Sequence, residues 1–385
     1  MQFEFSTAGR IVFGPGVSAQ IPDLAAGLGR RAFLVLGGTP ERLGRLTDQI
    51  AAGGVTWRNF RVTSEPTTEI VQAAAKLARE AAADVVVAVG GGSVLDTGKA
   101  VAALLTNEGD LLDYLEVVGK GRPLRQPAAP CIAVPTTAGT GAEVTYNAVL
   151  GVPDQHVKVS IRSHLMLPRW AVVDPLLTHS MSPELTASTG LDALTQLIEA
   201  FVSNKANPLT DSVCRAGLQR AGRSLGRAFR DGRDANARED LSLASLFSGM
   251  ALANAKLGAV HGFAGPLGGR IGAPHGVICG TLLPYVMQAN VRALQDRAPD
   301  SPALARFDEV GRILTGRSTA HASDAVAWIE ELCATLGLPG LRRYGLSEND
   351  FPAVAAKAKN ASSMKGNPVD LSDGELVRIL CQATD

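Results

Sequence analysis

The stretch Gly90-Gly91-Gly92-Ser93-Val94-Leu95-Asp96-Thr97-Gly98-Lys99 decides how the first half of this chain is read. It follows the apolar run 84–89 and precedes Ala-rich sequence, the pattern of a buried strand that feeds a glycine turn and opens a helix. Glycine leaves backbone N–H groups uncovered, and a helix start offers its first amides to anionic oxygen, so the turn is a candidate pyrophosphate site. Ser93 and Asp96 have the S-x-x-D spacing of a helix-capping box. Two better-known phosphate loops do not fit. A Walker A loop needs glycine five residues before its Gly-Lys pair and a hydroxyl residue after it, but Ser93 stands upstream of Gly98-Lys99 and Ala100 downstream. The G-x-G-x-x-G fingerprint finds Gly90 and Gly92 and then meets Leu95. Taken alone, the stretch reads equally as an ordinary strand-to-helix turn, so the rest of the chain must decide.

On either side of the turn, short β-branched runs alternate with Ala/Leu-rich segments. Residues 31–36, 131–135 and 171–174 read as strands, and 40–52 and 70–82 as helices. This βαβ rhythm predicts an α/β domain with a largely parallel, doubly wound sheet, whose ligands sit at the carboxyl ends of the strands. From about Ser180 the pattern changes to long helical periodicity over 183–202, 208–229, 238–256 and 323–336, which predicts an all-α second half. The boundary falls near 179–182, with Ser182 as N-cap, Pro183 at the first helical position and Glu184 in the first turn. The expected domains are 1–179 and 180–385. Residues 231–236 and 296–302 read as surface loops.

With 385 residues, 46% of them hydrophobic, the chain is long enough for two cores. Lys+Arg and Asp+Glu balance at 37 each, and no basic run provides the footprint of a nucleic-acid binder. No apolar segment reaches membrane-spanning length, and the opening Met1-Gln2-Phe3-Glu4-Phe5-Ser6 lacks a basic region followed by an apolar stretch. A soluble, cytoplasmic protein acting on small molecules is expected. Cys131, Cys214, Cys279, Cys333 and Cys381 are odd in number and without metal-type spacing; they read as buried thiols in a reducing compartment.

Two of the six histidines, His261 and His275, sit in the glycine-rich, nearly uncharged block 258–276. Upstream, Asp192, Gln196 and Glu199 share one helical face by i, i+4 and i+7 spacing, and Asp192 has apolar neighbours. A buried carboxylate needs a partner. Two neutral imidazoles and a carboxylate suit Fe²⁺ or Zn²⁺ and leave positions open for a substrate oxygen. The plainer readings are satisfied core histidines and an aspartate that caps a helix. Glu199 reads as a salt-bridging face residue, and His156, His164, His179 and His321 as solvated.

Four ordered motifs then resemble the iron-containing (group III) alcohol dehydrogenase family of the dehydroquinate synthase-like superfamily. They are Gly90 to Lys99, Pro135-Thr136-Thr137-Ala138-Gly139-Thr140-Gly141-Ala142-Glu143-Val144-Thr145, Gly190-Leu191-Asp192-Ala193-Leu194-Thr195, and His261-Gly262-Phe263-Ala264-Gly265-Pro266-Leu267-Gly268 with Pro274-His275-Gly276. The resemblance runs from Val12-Phe13-Gly14-Pro15-Gly16 to Met364-Lys365-Gly366-Asn367-Pro368. It implies an N-terminal dinucleotide-binding domain, a C-terminal helical domain and a metal in the cleft between them. It also implies that Gly37, Gly91, Gly92 and Ser93 contact NAD or NADP, with Asp96 towards the nicotinamide. Thr136, Thr137, Thr140 and Thr145 would supply hydroxyls, Lys158 would be the cofactor-contacting lysine, and Asp192, His261 and His275 would be the catalytic metal ligands. A homodimer is what the family suggests.

Three departures from the family pattern stand out. Relatives with four protein ligands carry His four residues after the aspartate, whereas this chain has Gln196, a weak or absent fourth ligand; this leaves Fe²⁺ and Zn²⁺ both open. Gly265 stands where many relatives place another His, so proton delivery would run through water or a cofactor ribose hydroxyl. Gly37-Gly38 stands where NAD-preferring relatives place an aspartate, so NADP(H) is admitted, with Arg42 able to approach its phosphate. The implied reaction is hydride transfer between nicotinamide C4 and a small alcohol or aldehyde. A maleylacetate-reductase-like enzyme, which would want cations that the metal block offers only at Arg270, is the nearest alternative. A dehydroquinate-synthase-like lyase and a metal-free nucleotide-binding paralogue are the others.

Overall fold

The structure, a computed structural model, describes residues 2–38, 40–155 and 157–384, and for residues 40–45 the backbone alone. The side chain of Arg42 and all of His156 therefore lie outside the described residues. Internal contacts divide the chain into two units. One comprises Ser6–Thr137 and Gly141–His179; the other comprises the first residues through Phe5, Ala138–Thr140 and the chain from Ser180 onward.

The first unit is built on a six-stranded parallel sheet of β1 (Arg10–Phe13), β2 (Arg31–Leu36), β3 (Thr56–Arg61), β4 (Val85–Gly90), β5 (Cys131–Pro135) and β8 (Trp170–Val173), in the order β1-β8-β5-β4-β2-β3. Between them run the helices α1 (Ile21–Leu28), α2 (Pro40–Ala52), α3 (Thr68–Glu80), α4 (Gly92–Thr106) and the single turn α5 (Leu111–Tyr114). Side chains alternate along a strand. Phe33, Val35, Val86 and Ala88 join one core with α3 and α4, while Ala32, Leu34, Leu36, Val85, Val87 and Val89 join another with Ile21 and Ala25 of α1 and Ile50 of α2. Burial on both faces explains why β2 and β4 read as unbroken apolar runs. Helix α3 starts two residues before the expected 70 because the Thr67 hydroxyl caps it, accepting from Ile70 N at 3.3 Å.

Four further strands lie outside the expected set. They are β1, the largely exposed β3, and an antiparallel hairpin of β6 (Asn147–Val152) with β7 (Val157–Arg162).

The second unit is helical throughout: α6 (Pro183–Val202), α7 (Pro208–Arg230), α8 (Ala235–Ala255), α9 (Ala259–Ile271), α10 (His275–Arg297), α11 (Pro302–Thr315), α12 (Ala322–Thr335), α13 (Phe351–Lys359) and α14 (Asp373–Thr384), with short 3₁₀ turns. Ser182 caps α6 by accepting from Leu185 N at 3.2 Å, and Pro183 opens it. Helix α8 begins three residues before the expected 238 because Asp234 caps it, accepting from Ala237 N at 3.0 Å. Helix α6 is buried nearly all round, and α7, α8 and α10 pack against it. Among the described residues no single helix is long and apolar enough to cross a membrane.

Two expectations need correction. His179 is not solvated: it is half-buried, with its Nε2 enclosed and without a hydrogen-bond partner. Of the five unpaired cysteines, Cys131, Cys214 and Cys279 are buried, but Cys333 is half-buried and Cys381 is exposed because α14 turns that face to solvent.

Candidate functional site

The first unit presents main-chain groups. From β2 the chain moves outward to β3 and then returns to β4 on the other side of β2 before continuing to β5, so the strand order reverses between β2 and β4. That reversal marks the crevice where open α/β sheets take ligands. In register, Leu36 lies beside Val89 and Gly90 beside Pro135. The loops that follow, carrying Gly37, Gly91 to Ser93, and Thr136 and Thr137, therefore leave the sheet side by side. Gly37 N donates to Val89 O at 2.9 Å and Thr136 N to Gly90 O at 3.0 Å.

Here the expected capping box is absent. Extended Gly91 (φ −75°, ψ −176°) is the N-cap of α4, with no side-chain cap. Ser93 therefore lies inside the first turn. Asp96 turns instead to other partners, its Oδ2 accepting from Val149 N at 3.0 Å and its Oδ1 standing 3.0 Å from Lys99 Nζ. With no side chain capping the helix, the amides of Gly92 and Ser93 stay available to an anion. A Cβ on Gly98 would lie 2.6 Å from that of Ala88. Glycine there lets α4 lie directly on β4, the packing role of the third fingerprint glycine, supplied three residues later than the fingerprint places it.

The other residues expected at the cofactor are distributed more widely. Thr136 and Thr137 are half-buried at the end of β5. Thr145 accepts from the fully buried Lys99 Nζ at 2.9 Å and donates to Ala142 O at 3.3 Å, and Lys99 also donates to Asn147 O at 2.5 Å. Lys158 pairs with Glu65 at 2.7 Å. Thr140 belongs to the second unit.

The second unit presents side-chain lone pairs. Asp192 and Gln196 project from α6, His261 from the first turn of α9, and His275 from the first residue of α10. Asp192 Oδ1 lies 3.2 Å from His261 Nε2 and 3.6 Å from His275 Nε2. Glycine makes this approach possible, since a Cβ on Gly276 would fall 1.9 Å from the Ser188 carbonyl oxygen on α6.

Glu199, one turn beyond Gln196, lies outside the four-residue ligand group, and the partner it pairs with is the buried imidazole of His261. It is buried, and it accepts from Val260 N at 2.6 Å and from His261 Nδ1 at 2.7 Å. The same carboxylate thus starts helix α9, which contains Pro266 and four glycines, and fixes its histidine. Asn367 Oδ1 assists by accepting from Ala259 N at 3.1 Å. Because Nδ1 must donate to Glu199, neutral His261 turns a lone pair at Nε2 towards the Asp192 carboxylate. Two acceptors facing each other in a buried site call for a cation between them.

Cys279, one turn after His275 on α10, completes the group. Its Sγ lies 3.8 Å from His261 Nε2 and 3.7 Å from His275 Nε2, and the four ligand atoms of Asp192, His261, His275 and Cys279 all lie within 4.8 Å of one another. Gln196 Nε2 donates to Asp192 Oδ1 at 3.3 Å, while its Oε1 is buried without a hydrogen-bond partner. The donor set and this orphaned amide oxygen fit a bound divalent metal.

Without a metal, the electrostatics show the same demand for positive charge. Burial alone would raise Asp192, but the two imidazoles hold it below the usual carboxylate range. Burial alone would lower His261, but Cys279, Asp192 and Glu199 hold it well above its ordinary value. His275 is raised by Cys279 and Asp192. Burial would push the Cys279 thiol up, but the imidazoles beside it bring it down.

Known proteins are similar to this chain along nearly its whole length. The family model for the iron-containing alcohol dehydrogenase matches residues 8–175, and the C-terminal model of the Fe-containing alcohol dehydrogenase family matches residues 186–384. The chain belongs to the iron-containing alcohol dehydrogenase family. A 4-hydroxybutyrate dehydrogenase from Cupriavidus necator is 37% identical over 326 residues, covering 83% of each chain. A solved structure of 1,3-propanediol oxidoreductase superposes over 100% of both chains with TM-score 0.91 and 33% identity. The sulfoacetaldehyde reductase of Bifidobacterium kashiwanohense, solved with NAD⁺, covers 100% of this chain and 99% of its own with TM-score 0.86 and 30% identity.

As a member of this family, the chain is an oxidoreductase acting on alcohols. Cys279, in the candidate ligand group, and Glu199, which supports His261, escaped the sequence reading in the positions they occupy. For Cys279 the available signal was its i, i+4 spacing from His275 on one helix. For Glu199 it was the buried helical face shared with Asp192.

Proposed function

We propose that this chain is a metal-dependent, NAD(P)-linked alcohol dehydrogenase that also works in reverse as an aldehyde reductase on small substrates. Asp192, His261 and His275 would hold a divalent metal, and Gly37, Gly91, Gly92, Ser93, Asp96, Thr136, Thr137, Thr140, Thr145 and Lys158 are the candidate cofactor contacts, on domains 1–179 and 180–385. The observation that carries the reading is the convergence of one buried carboxylate and two imidazole nitrogens, with the His261 tautomer set by Glu199.

When bound, the ion supplies Lewis-acid polarisation of a substrate oxygen, and the nicotinamide gives or takes the hydride. The chain's own residues prepare for both. Glu199 holds the proton on His261 Nδ1, which keeps Nε2 free to ligate. Gln196 donates to Asp192 and orients its carboxylate. The open amides of Gly92 and Ser93 would hold the pyrophosphate. Gly265 has no atom within 4 Å of where its Cβ would stand, so no imidazole delivers a proton from there and the space is left to water and substrate.

Use of NADP(H) alongside NAD(H) is supported by the missing acidic side chain at Gly37-Gly38 and by Arg61, which donates to Gly38 O at 2.5 Å and brings a cation to the end of β2. The alcohol or aldehyde reading is preferred over an unsaturated dicarboxylate. Arg270, the cation of the metal block, is held by Asp350 at 2.7 Å. A cytoplasmic setting is supported by the unpaired cysteines, and a homodimer is proposed by analogy with the family.

The test is metal analysis of the purified protein together with NADH and NADPH oxidation on addition of small aldehydes, repeated on Asp192→Ala. Stoichiometric metal and aldehyde-dependent cofactor oxidation, both lost in the variant, are expected. Full activity without bound metal would overturn the reading.

A further inference from the structure

Gln196 stands one turn after Asp192 on α6, and its amide N–H end is committed to Asp192. The fourth donor facing the group comes from a different helix. Cys279 is fully buried, and the hydrogen-bond partners found for its Sγ are the two imidazole nitrogens themselves.

Four of the donor-to-donor separations lie close to the edges of a tetrahedral coordination shell. With metal–O and metal–N bonds of about 2.0–2.2 Å and a metal–S bond of about 2.3 Å, tetrahedral edges come to about 3.3–3.5 Å between O and N donors and about 3.6 Å between S and N donors. The observed O–N separations are 3.2 and 3.6 Å, and the observed S–N separations are 3.8 and 3.7 Å. The donors also occupy distinct sides of the group. Cys279 is enclosed in the helical core, whereas the His275 side chain is 38% exposed and marks the side open to an entering molecule.

On the reading that Asp192, His261 and His275 hold a divalent ion, we propose that Cys279 is the fourth ligand, bound as a thiolate, and that the resulting Asp-His-His-Cys set selects Zn²⁺ over Fe²⁺. On binding, the S–H bond breaks, a sulfur–metal bond forms and the proton leaves to solvent. Aspartate and thiolate together carry two negative charges, so the loaded site is neutral, whereas an aspartate with three neutral imidazoles leaves one positive charge on the site. A soft thiolate also moves preference away from metals that favour oxygen and nitrogen donors alone.

The experiment uses the full chain, produced with zinc and iron both supplied. Zinc in excess of iron is expected by metal analysis, with a sulfur scatterer at about 2.3 Å in the zinc X-ray absorption fine structure. The cobalt-substituted protein should show a near-ultraviolet thiolate-to-cobalt charge-transfer band. In Cys279→Ala that band should vanish, and zinc affinity should fall by more than the about 10–100-fold that loss of an outer-shell partner costs. Both spectroscopic readouts are taken on the unmutated chain, so a variant that fails to fold leaves the test intact. Bound metal with no sulfur scatterer and no charge-transfer band would overturn the role of Cys279 while leaving the metal-dependent reading in place. Absence of metal from the unmutated chain would overturn both.

Discussion

The sheet unit and the helical unit prepare for ligands with different chemical groups. In the sheet unit the candidate anion site is main chain, made of the amides at the start of α4 with a glycine as its cap. In the helical unit the candidate metal site is all side chain, with donors drawn from α6, α9 and α10. A main-chain site is insensitive to most substitutions that leave the backbone in place. A side-chain site is lost with a single atom, and it must be held by partners that themselves are buried.

The largest effect should come from breaking the side-chain site directly. Asp192→Ala is expected to abolish metal retention and to reduce kcat/KM by about 10³-fold or more, since several kcal/mol of charge stabilisation go with the ion. Steady-state kinetics paired with metal analysis checks this, and a variant that keeps its metal would count against Asp192 as a ligand. Next is a backbone change made in the helical unit. Gly276→Ala drives a methyl into the Ser188 carbonyl and should destabilise by about 2–3 kcal/mol, whereas Gly98→Ala meets the Ala88 side chain and should cost about 1–2 kcal/mol. Equal losses in urea denaturation would erase this distinction between the two close approaches.

Glu199→Gln sharpens the comparison from the other side, because it removes a support and leaves every donor in place. Metal affinity should fall by about 10–100-fold, read by competition with a chelating dye.

A pH effect belongs to the sheet unit. Glu143, with Oε1 buried and unpartnered, is pushed up by burial to about 7 from 4.5. Between those values the folded chain keeps a proton that the unfolded chain has lost. This group's contribution to stability is therefore most favourable below about pH 4.5, declines as pH rises through about 7, and is flat above it. Glu143→Gln should remove that decline, with a gain on the order of 2–3 kcal/mol at pH 8, measured by urea denaturation across pH. The smallest effect is expected at Lys158. Because the Glu65 end of its ion pair is exposed, Lys158→Met should change stability by less than about 1 kcal/mol while raising the KM for NAD(P)H about two- to fivefold.

What could be read from the sequence follows the same division. The strands β2, β4 and β5 were legible because burial on both faces writes unbroken apolar runs, the helix α6 because of its periodicity and its Ser182-Pro183 start, and the glycine turn because glycine is itself the signal. The capping box was misread because Ser93 and Asp96 have the right spacing, yet Gly91, with no side chain at all, takes the N-cap. Strand β3 was missed since its Thr-Trp-Arg-Asn-Phe-Arg sequence is mostly exposed at the sheet edge. The hairpin was missed because a short 3₁₀ turn at 153–155, rather than a tight glycine turn, follows β6. Asp192, His261 and His275 were singled out by residue type and local polarity, and the structure brings their donor atoms together. Cys279 was set aside because spacing between cysteines says nothing about a thiol whose partners are histidines. Glu199 was placed on the right face, but its work is done 62 residues away at His261.

The position of Glu199 ties two events that are usually separate. Its oxygens accept from Val260 N and from His261 Nδ1, so the first turn of α9 and the aim of an imidazole are secured by one group. A disturbance that frays this turn will also unseat the histidine, and an ion that grips the histidine will in turn protect the amides of that turn from exchange. In this chain, local folding at residue 260 and readiness to take up an ion are therefore a single equilibrium, observable as slowed hydrogen exchange when the ion is added.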